Sequence, residues 1–354
     1  MIRGIAILPN PEGMLYLKSE LASHLRGSLD GLRSALQHAI QLEHACIPAY
    51  LYALYSIKPD KNREIVALLR SVMLEEMLHI GLVCNILNAI GGSPVLDDPE
   101  FVPRYPGPLP GSVEQGLIVP LAPFSKDLVR DIFMVIEAPE FESNFGKPSL
   151  PTKRKAITAG DFYGGIKRQI RALSEEGNIF VGDPRKQLTG GFARMQTVKV
   201  TSVDSAIKAI DLIVEEGEGT RSSPLDPDHE LAHYYRFAEI FHGYKAIATN
   251  QPNGPPFDYV GHAIKFDPGG VWPAIKNPSA ASYAHDSVAA NLNYDFNRTY
   301  TKLLKTLHAV FNGEPDRLGP ANTLMESMKD QALYMMSYEL SPGVTAGPTF
   351  EYQV

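Results

Sequence analysis

From residue 29 to about 57, the stripe positions recur at alternating steps of four and three. Leu36, Ile40, Glu43, Ile47, Tyr50 and Leu54 fall on one stripe, the signature of a helix with one inward face. Pro48 interrupts the stripe and predicts a kink or local bulge. A second helix is expected to begin at Asp60 or Asn62. It carries Ile65, Leu69, Val72, Glu76, His79, Val83, Ile86 and Ile90 on the same step and stops at Gly91-Gly92-Ser93-Pro94. The short polar link between them makes the pair an antiparallel hairpin.

Residues 1–28 read as an irregular or short-helix lead-in, and residues 95–160 are rich in proline. Within that stretch, 119–121 read as an extended piece and 126–137 as a helix. Further helices are expected at 161–176, with Phe162, Ile166, Ile170 and Leu173 on the apolar side, and at 202–216, with Val203, Ile207, Ile210 and Val214. A fourth bundle helix is expected to start near 227–228 and to carry Glu230, His233, Phe237, Ile240, Tyr244 and Ile247 on one face. Two more follow at about 284–312 and 317–338. The pattern implies an all-α chain: a four-helix bundle with long insertions over 1–250, the proline-rich one at 95–160, and a C-terminal helical extension over 251–354 packed on it.

Composition narrows the function classes. A hydrophobic share of 44% is enough for a sizeable core, and a formal net charge of −7 offers no basic surface to nucleic acid or anionic lipid. No apolar run is long enough to span a bilayer, and no leader follows Met1, so a soluble cytoplasmic protein is expected. Cys46 and Cys84 sit in apolar helical patterns, as reduced, buried thiols do.

The chemistry lies in where polar residues interrupt the inward stripes. Glu43 stands on the first, Glu76 and His79 on the second, Glu230 and His233 on the fourth. An unpaired carboxylate in a bundle core costs several kcal/mol, so such a set calls for a shared compensating charge, which a metal pair supplies. Iron accepts carboxylate oxygen and imidazole nitrogen, and a Glu-x-x-His pair sets both on one helix face. The ferritin-like di-iron plan takes one Glu from each of two helices and a Glu-x-x-His from each of the other two. On that plan Glu76 and Glu230 bridge, and His79 and His233 are terminal. On the third helix Glu215, Glu216 and Glu218 are all at hand. An undistorted helix puts Glu218 nearest the stripe and Glu215 farther round, and Gly217 and Gly219 permit a bulge that would reorder them. Glu215 and Glu218 are therefore the candidates, Glu218 preferred.

The segment Leu42-Glu43-His44-Ala45-Cys46-Ile47-Pro48-Ala49-Tyr50, continuing through Ile57, resembles the first helix of the bacterial ferritin-like family related to iminophenyl-pyruvate dimer synthase. The resemblance continues at Glu75-Glu76-Met77-Leu78-His79, at 105–110, at Ile136-Glu137-Ala138-Pro139-Glu140, at 213–219 and at His233-Tyr234-Tyr235-Arg236-Phe237. Family members with an assigned reaction couple oxidised tryptophan-derived imines in pigment biosynthesis. They are longer, so the resemblance does not carry their substrate over to this chain.

Other residues invite chemistry and are read more plainly. Glu239-x-x-His242 lies off the stripe, His38 does too, and His44 points about a quarter turn from Glu43, toward an outer layer or the surface. Tyr50, Tyr52 and Tyr55 read as packing, with Tyr50 set apart by its place on the Glu43 stripe. Trp272 carries no functional expectation.

The expectation is a non-haem di-iron oxidoreductase, with manganese or a mixed pair as alternatives to iron. It acts with dioxygen on a small organic, amino-acid-derived substrate, and a homo-oligomer stays open. Three other readings are weighed: iron handling without an organic substrate, a bundle that has lost its metal, and a haem-dependent imine-coupling synthase. Large insertions count against a storage cage, and a complete ligand set against a lost metal. No Cys-x-x-Cys-His attachment signal is present, although haem held by one histidine would leave none.

Overall fold

Ser28 opens the first helix by accepting a hydrogen bond from the Gly31 amide at 3.0 Å, and α1 (Leu29–Tyr55) then runs unbroken through Pro48. The computed structural model describes residues 27–110, 113–114, 116–139, 158–192, 195–219, 223–226, 228–249 and 256–353. Most of the lead-in expected at 1–28 and part of the proline-rich insertion lie outside them. After a short link, α2 (Arg63–Ala89) begins at Asn62, whose side chain is held by the Asp267 backbone (2.7 and 3.0 Å). It ends before Gly91, which takes the left-handed conformation (φ 72°) that favours glycine.

The helix expected at 126–137 is present as α3, with an internal irregularity. Lys126–Leu128 is α-helical, Val129–Phe133 forms a π turn, and Met134–Ile136 returns to α. Capping boxes start α4 (Ala159–Glu176) at Thr158 and Asp161, and α5 (Val203–Glu218) at Ser202 and Ser205. Between them a small antiparallel pair joins β1 (Gly191–Phe192) to β2 (Met195–Gln196).

The next helix is shorter than its stripe implied. α6 spans His233–His242. Its start is delayed because the Asp226 carboxylate accepts hydrogen bonds from the Asp228 and Glu230 amides (both 2.9 Å), which ties those amides up outside the helix. Its end is set by Gly243 at φ 78°. Tyr244 and Ile247 thus belong to a strand, not to the helix. β3 (Tyr244–Ala248) pairs antiparallel with β4 (Phe257–Ala263). The C-terminal helices are α7 (Val288–Phe311) and α8 (Leu318–Ser337), followed by the short pair β5 (Glu339–Ser341) and β6 (Val344–Thr345).

Packing runs in a closed ring: α1 on α2, α2 on α5, α5 on α4, and α4 back on α1. α6 lies against α2, α5 and the π turn of α3. The α7–α8 pair seats α7 on α2 and α8 on α1. Buried amides lock α2 to its surroundings. The Asn85 side chain donates to the carbonyls of Leu188 (2.9 Å) and Val198 (3.0 Å), and that of Asn88 to Phe311 O (2.7 Å). With ring and flanking helices in place, five segments converge on one buried point.

Candidate metal centre

Glu43 comes from α1, Glu76 and His79 from α2, Glu137 from the residue after α3, Glu216 from α5 and His233 from the first turn of α6. All six are buried, His233 completely. The donor atoms of Glu43, Glu76 and His79 lie within 4.8 Å of one another, and so do those of Glu76, Glu137 and His233. Glu76 therefore belongs to two trios at once. The two imidazoles stack with ring centres 5.5 Å apart.

Each histidine turns Nδ1 inward and Nε2 outward. His79 Nδ1 lies 3.3 Å from Glu43 Oε2 and 3.7 Å from Glu76 Oε2, while its Nε2 meets Glu216 Oε2 at 2.7 Å. His233 Nδ1 lies 2.9 Å from Glu76 Oε1 and 3.5 Å from Glu137 Oε2, while its Nε2 meets Glu75 Oε2 at 2.9 Å. An outer carboxylate on the far ring nitrogen is the arrangement that orients metal-binding imidazoles and raises their basicity. Phenols steady two of the carboxylates: Tyr50 donates to Glu137 Oε1 at 2.5 Å, and Tyr163 on α4 donates to Glu43 Oε1.

The electrostatics are those of a site rich in negative charge. Burial alone would lower the His79 pKa, but Glu216, Glu43 and Glu76 outweigh it and hold it well above the ordinary value. For His233, Glu137, Glu75 and Glu76 outweigh burial in the same way. Burial, then the Glu76 charge, pushes Glu137 up. Burial would raise Glu75 as well, yet His233 and Arg236 bring it down to about 2. Arg236 Nη1 sits 2.7 Å from Glu75 Oε1.

These residues fit a pair of cations. Among the described residues, the ion pairs of Glu43, Glu76, Glu137 and Glu216 all run to His79 and His233. Four buried carboxylates thus share two imidazoles. His233 Nδ1, close as it is to Glu76, lacks the alignment of a hydrogen bond and stands as a buried nitrogen without one. Oxygen and imidazole donors converging in this way suit iron or manganese.

The structure departs from the sequence-based assignment at two places. Glu230 is outside the cluster. Because α6 starts only at His233, the Glu-x-x-His spacing does not place Glu230 on the helix, and its largely exposed carboxylate meets Arg236 Nη2 at 3.3 Å. Glu137 lies where the second bridging or terminal carboxylate was expected. On α5 the inward residue is Glu216; Glu215 is half-buried on the outer side, and the side chain of Glu218 falls outside the described residues. Small residues explain the shift. The buried stripe is Ala206, Ala209, Ile210 and Ile213, and Glu216 continues it, whereas counting only large residues rotated the stripe by one position.

Other sites fall as follows. Glu239 is buried but binds Lys245 Nζ (2.6 Å) and the Ala246 amide (2.8 Å), and His242 stacks on Tyr259. His44 is internal, with Nε2 2.8 Å from the Tyr300 hydroxyl and its ring against Phe101. Cys46 and Cys84 are free and buried. Beside the cluster lies a cavity of about 40 Å³, walled by Glu43, Glu76, His79, Glu137, Cys46, Tyr163 and apolar neighbours. No helix among the described residues is long and apolar enough to cross a membrane.

A Ferritin-like family model matches residues 36–242. Dichlorochromopyrrolate synthase of Lentzea aerocolonigenes is 24% identical over 90% of this chain and 35% of its own length. The 2-imino-3-(indol-3-yl)propanoate dimerase of Chromobacterium violaceum is 26% identical over 70% of this chain and 25% of its own. This chain thus spans about a third or less of these relatives. A crystal structure of a ferritin-like protein from Caulobacter vibrioides superposes with a TM-score of 0.59 at 22% identity, covering 96% of this chain and 100% of that one, a likeness of fold. The synthase and the dimerase are the distant homologues that the resemblance to the iminophenyl-pyruvate dimer synthase family implied.

Proposed function

The chain belongs to the Ferritin-like family, and on that footing we propose that it is a non-haem di-iron oxidoreductase acting with dioxygen on a small, amino-acid-derived substrate. The observation that carries this reading is Glu76, one carboxylate common to two trios of donor atoms. Glu43, His79 and Glu76 would hold one ion, and Glu137, His233 and Glu76 the other. An iron pair bound there would supply redox chemistry with dioxygen; manganese is the alternative.

The chain's own residues have definite duties. Glu216 and Glu75 fix the two imidazoles with Nδ1 inward, and Tyr163 and Tyr50 aim the terminal carboxylates. Leu42, Ile136 and Ile213 line the cavity and exclude bulk water. The two homologues, a synthase and an imine dimerase by name, support an organic substrate of amino-acid origin.

One observation favours a second reading, iron handling without an organic partner. A cavity of about 40 Å³ suits a molecule of about one to three heavy atoms better than an indole ring. Elemental analysis of iron-loaded protein, beside a His79→Ala/His233→Ala double variant, tests the metal pair. Roughly two ions per chain in the parent and almost none in the variant are expected. Dioxygen uptake then separates the readings. Sustained consumption that depends on an added amino-acid-derived imine supports the oxidoreductase. A single burst in proportion to ferrous ion supports iron handling, and no metal in either protein would defeat both.

A further inference from the structure

The two trios look alike by donor type, but their surroundings differ. The cavity is walled by all three groups of the first trio, Glu43, Glu76 and His79; of the second it touches Glu76 and Glu137 but not His233. His233 is fully enclosed. Behind the second trio stands an aromatic cluster: Tyr50, which holds Glu137, packs edge-on to Phe133 at 4.7 Å and to Phe237 at 5.3 Å. The outer carboxylates differ too. Glu75, behind His233, is neutralised by Arg236, which also donates to the Ser71 hydroxyl at 3.1 Å. Among the described residues, Glu216, behind His79, has no such cation.

We propose that the two halves of the centre are inequivalent: a small exogenous molecule binds at the Glu43–Glu76–His79 half, which faces the cavity, while the Glu76–Glu137–His233 half is closed to it. The inference rests on the metal reading above. Its ligand class is set by the cavity, which admits a molecule of two or three heavy atoms. The uncompensated Glu216 makes His79 the more strongly donating imidazole, so the open half is also the one with more electron density to share.

Gly217 offers a direct handle. It lines the cavity on α5, and a β-carbon there would stand 3.6 Å from Glu137 Oε2, an ordinary contact, so alanine fits while taking up part of the cavity. Ala159, at the start of α4, lines the same space. The test uses cobalt(II) as the metal and azide as the exogenous ligand, followed through the cobalt absorption bands without oxygen.

The expected result is that azide perturbs one of two bound cobalt ions and saturates at one equivalent per chain. In Gly217→Ala, and in Ala159→Leu as a second variant, azide affinity falls by about tenfold or more with both cobalt ions retained. Two equal azide sites, no azide binding, or unchanged affinity in variants that keep their cobalt would overturn this inference and leave the metal pair standing. Failure of the parent to take up cobalt would defeat the metal reading and this inference together. Should both variants lose cobalt, Glu137→Gln decides: the ion it keeps in the Glu43–Glu76–His79 half is expected to bind azide as the parent does, and a kept ion that ignores azide would overturn the inference.

Discussion

Glu137 and Glu230 carry the same functional group, and their surroundings give them opposite duties. Glu137 is buried, its carboxylate held by Tyr50 and set beside His233; Glu230 is largely exposed and touches Arg236. Glu137→Gln is therefore expected to cut bound metal from roughly two ions per chain to about one, whereas Glu230→Gln keeps both, by elemental analysis. The exposed pair lost in Glu230→Gln should cost under about 1 kcal/mol in chemical denaturation. At this scale legibility followed periodicity. Glu43, Glu76, His79 and His233 interrupt apolar stripes and converge in space, so their placement could be read from the sequence. Glu137 could not, because the π turn at Val129–Phe133 shifts the helical repeat just before it, inside a proline-rich stretch. It did lie in the Ile136–Glu140 segment of the family resemblance, which was the one signal available. Glu216 was hidden by Ala206 and Ala209, which are as buried as any leucine but too small to register as a stripe.

Elements that carry the site are held by their ends. The Ser202 hydroxyl accepts from the Ser205 amide at the start of α5, so Ser202→Ala should cost about 1 kcal/mol, seen as a lower urea midpoint at unchanged slope. Gly243 closes α6 at φ 78°, where an L-residue pays about 1–2 kcal/mol, and a β-carbon there would come within 2.9 Å of Lys126 Nζ. Gly243→Ala is expected to lower stability by that amount while metal content stays at the parent level, because Lys126 can swing aside and His233 lies at the helix's other end. The long helices were legible because their stripes run many turns, and α2, α4 and α5 also stop at a glycine. α6 was misjudged at both ends. Its apparent stripe joined a turn held by Asp226, a helix and a strand, three structures whose apolar residues fell on one helical spacing by accident of register.

For the whole molecule, cations that bind the folded chain and not the unfolded one must raise its stability. At a free metal concentration of 100 times Kd the gain is about 2.7 kcal/mol for one site, so a chelator should lower the melting temperature of the parent. The same chelator should leave the His79→Ala/His233→Ala variant unmoved, and a variant that still responds would place the metal elsewhere. The Ferritin-like match over residues 36–242 takes in the helices of the cluster and leaves α7 and α8 outside, and these two pack on the outer side of α1 and α2. The donors are also unevenly spread along the chain. Glu43, Glu76 and His79 all lie in the α1–α2 hairpin, a unit of neighbouring helices that closes with little loop entropy. Glu137 and His233 must be brought from far downstream. During synthesis the first trio is complete once α2 has left the ribosome, while the second waits for α6. The centre is thus assembled in two instalments, with its open half written first and its closed half last.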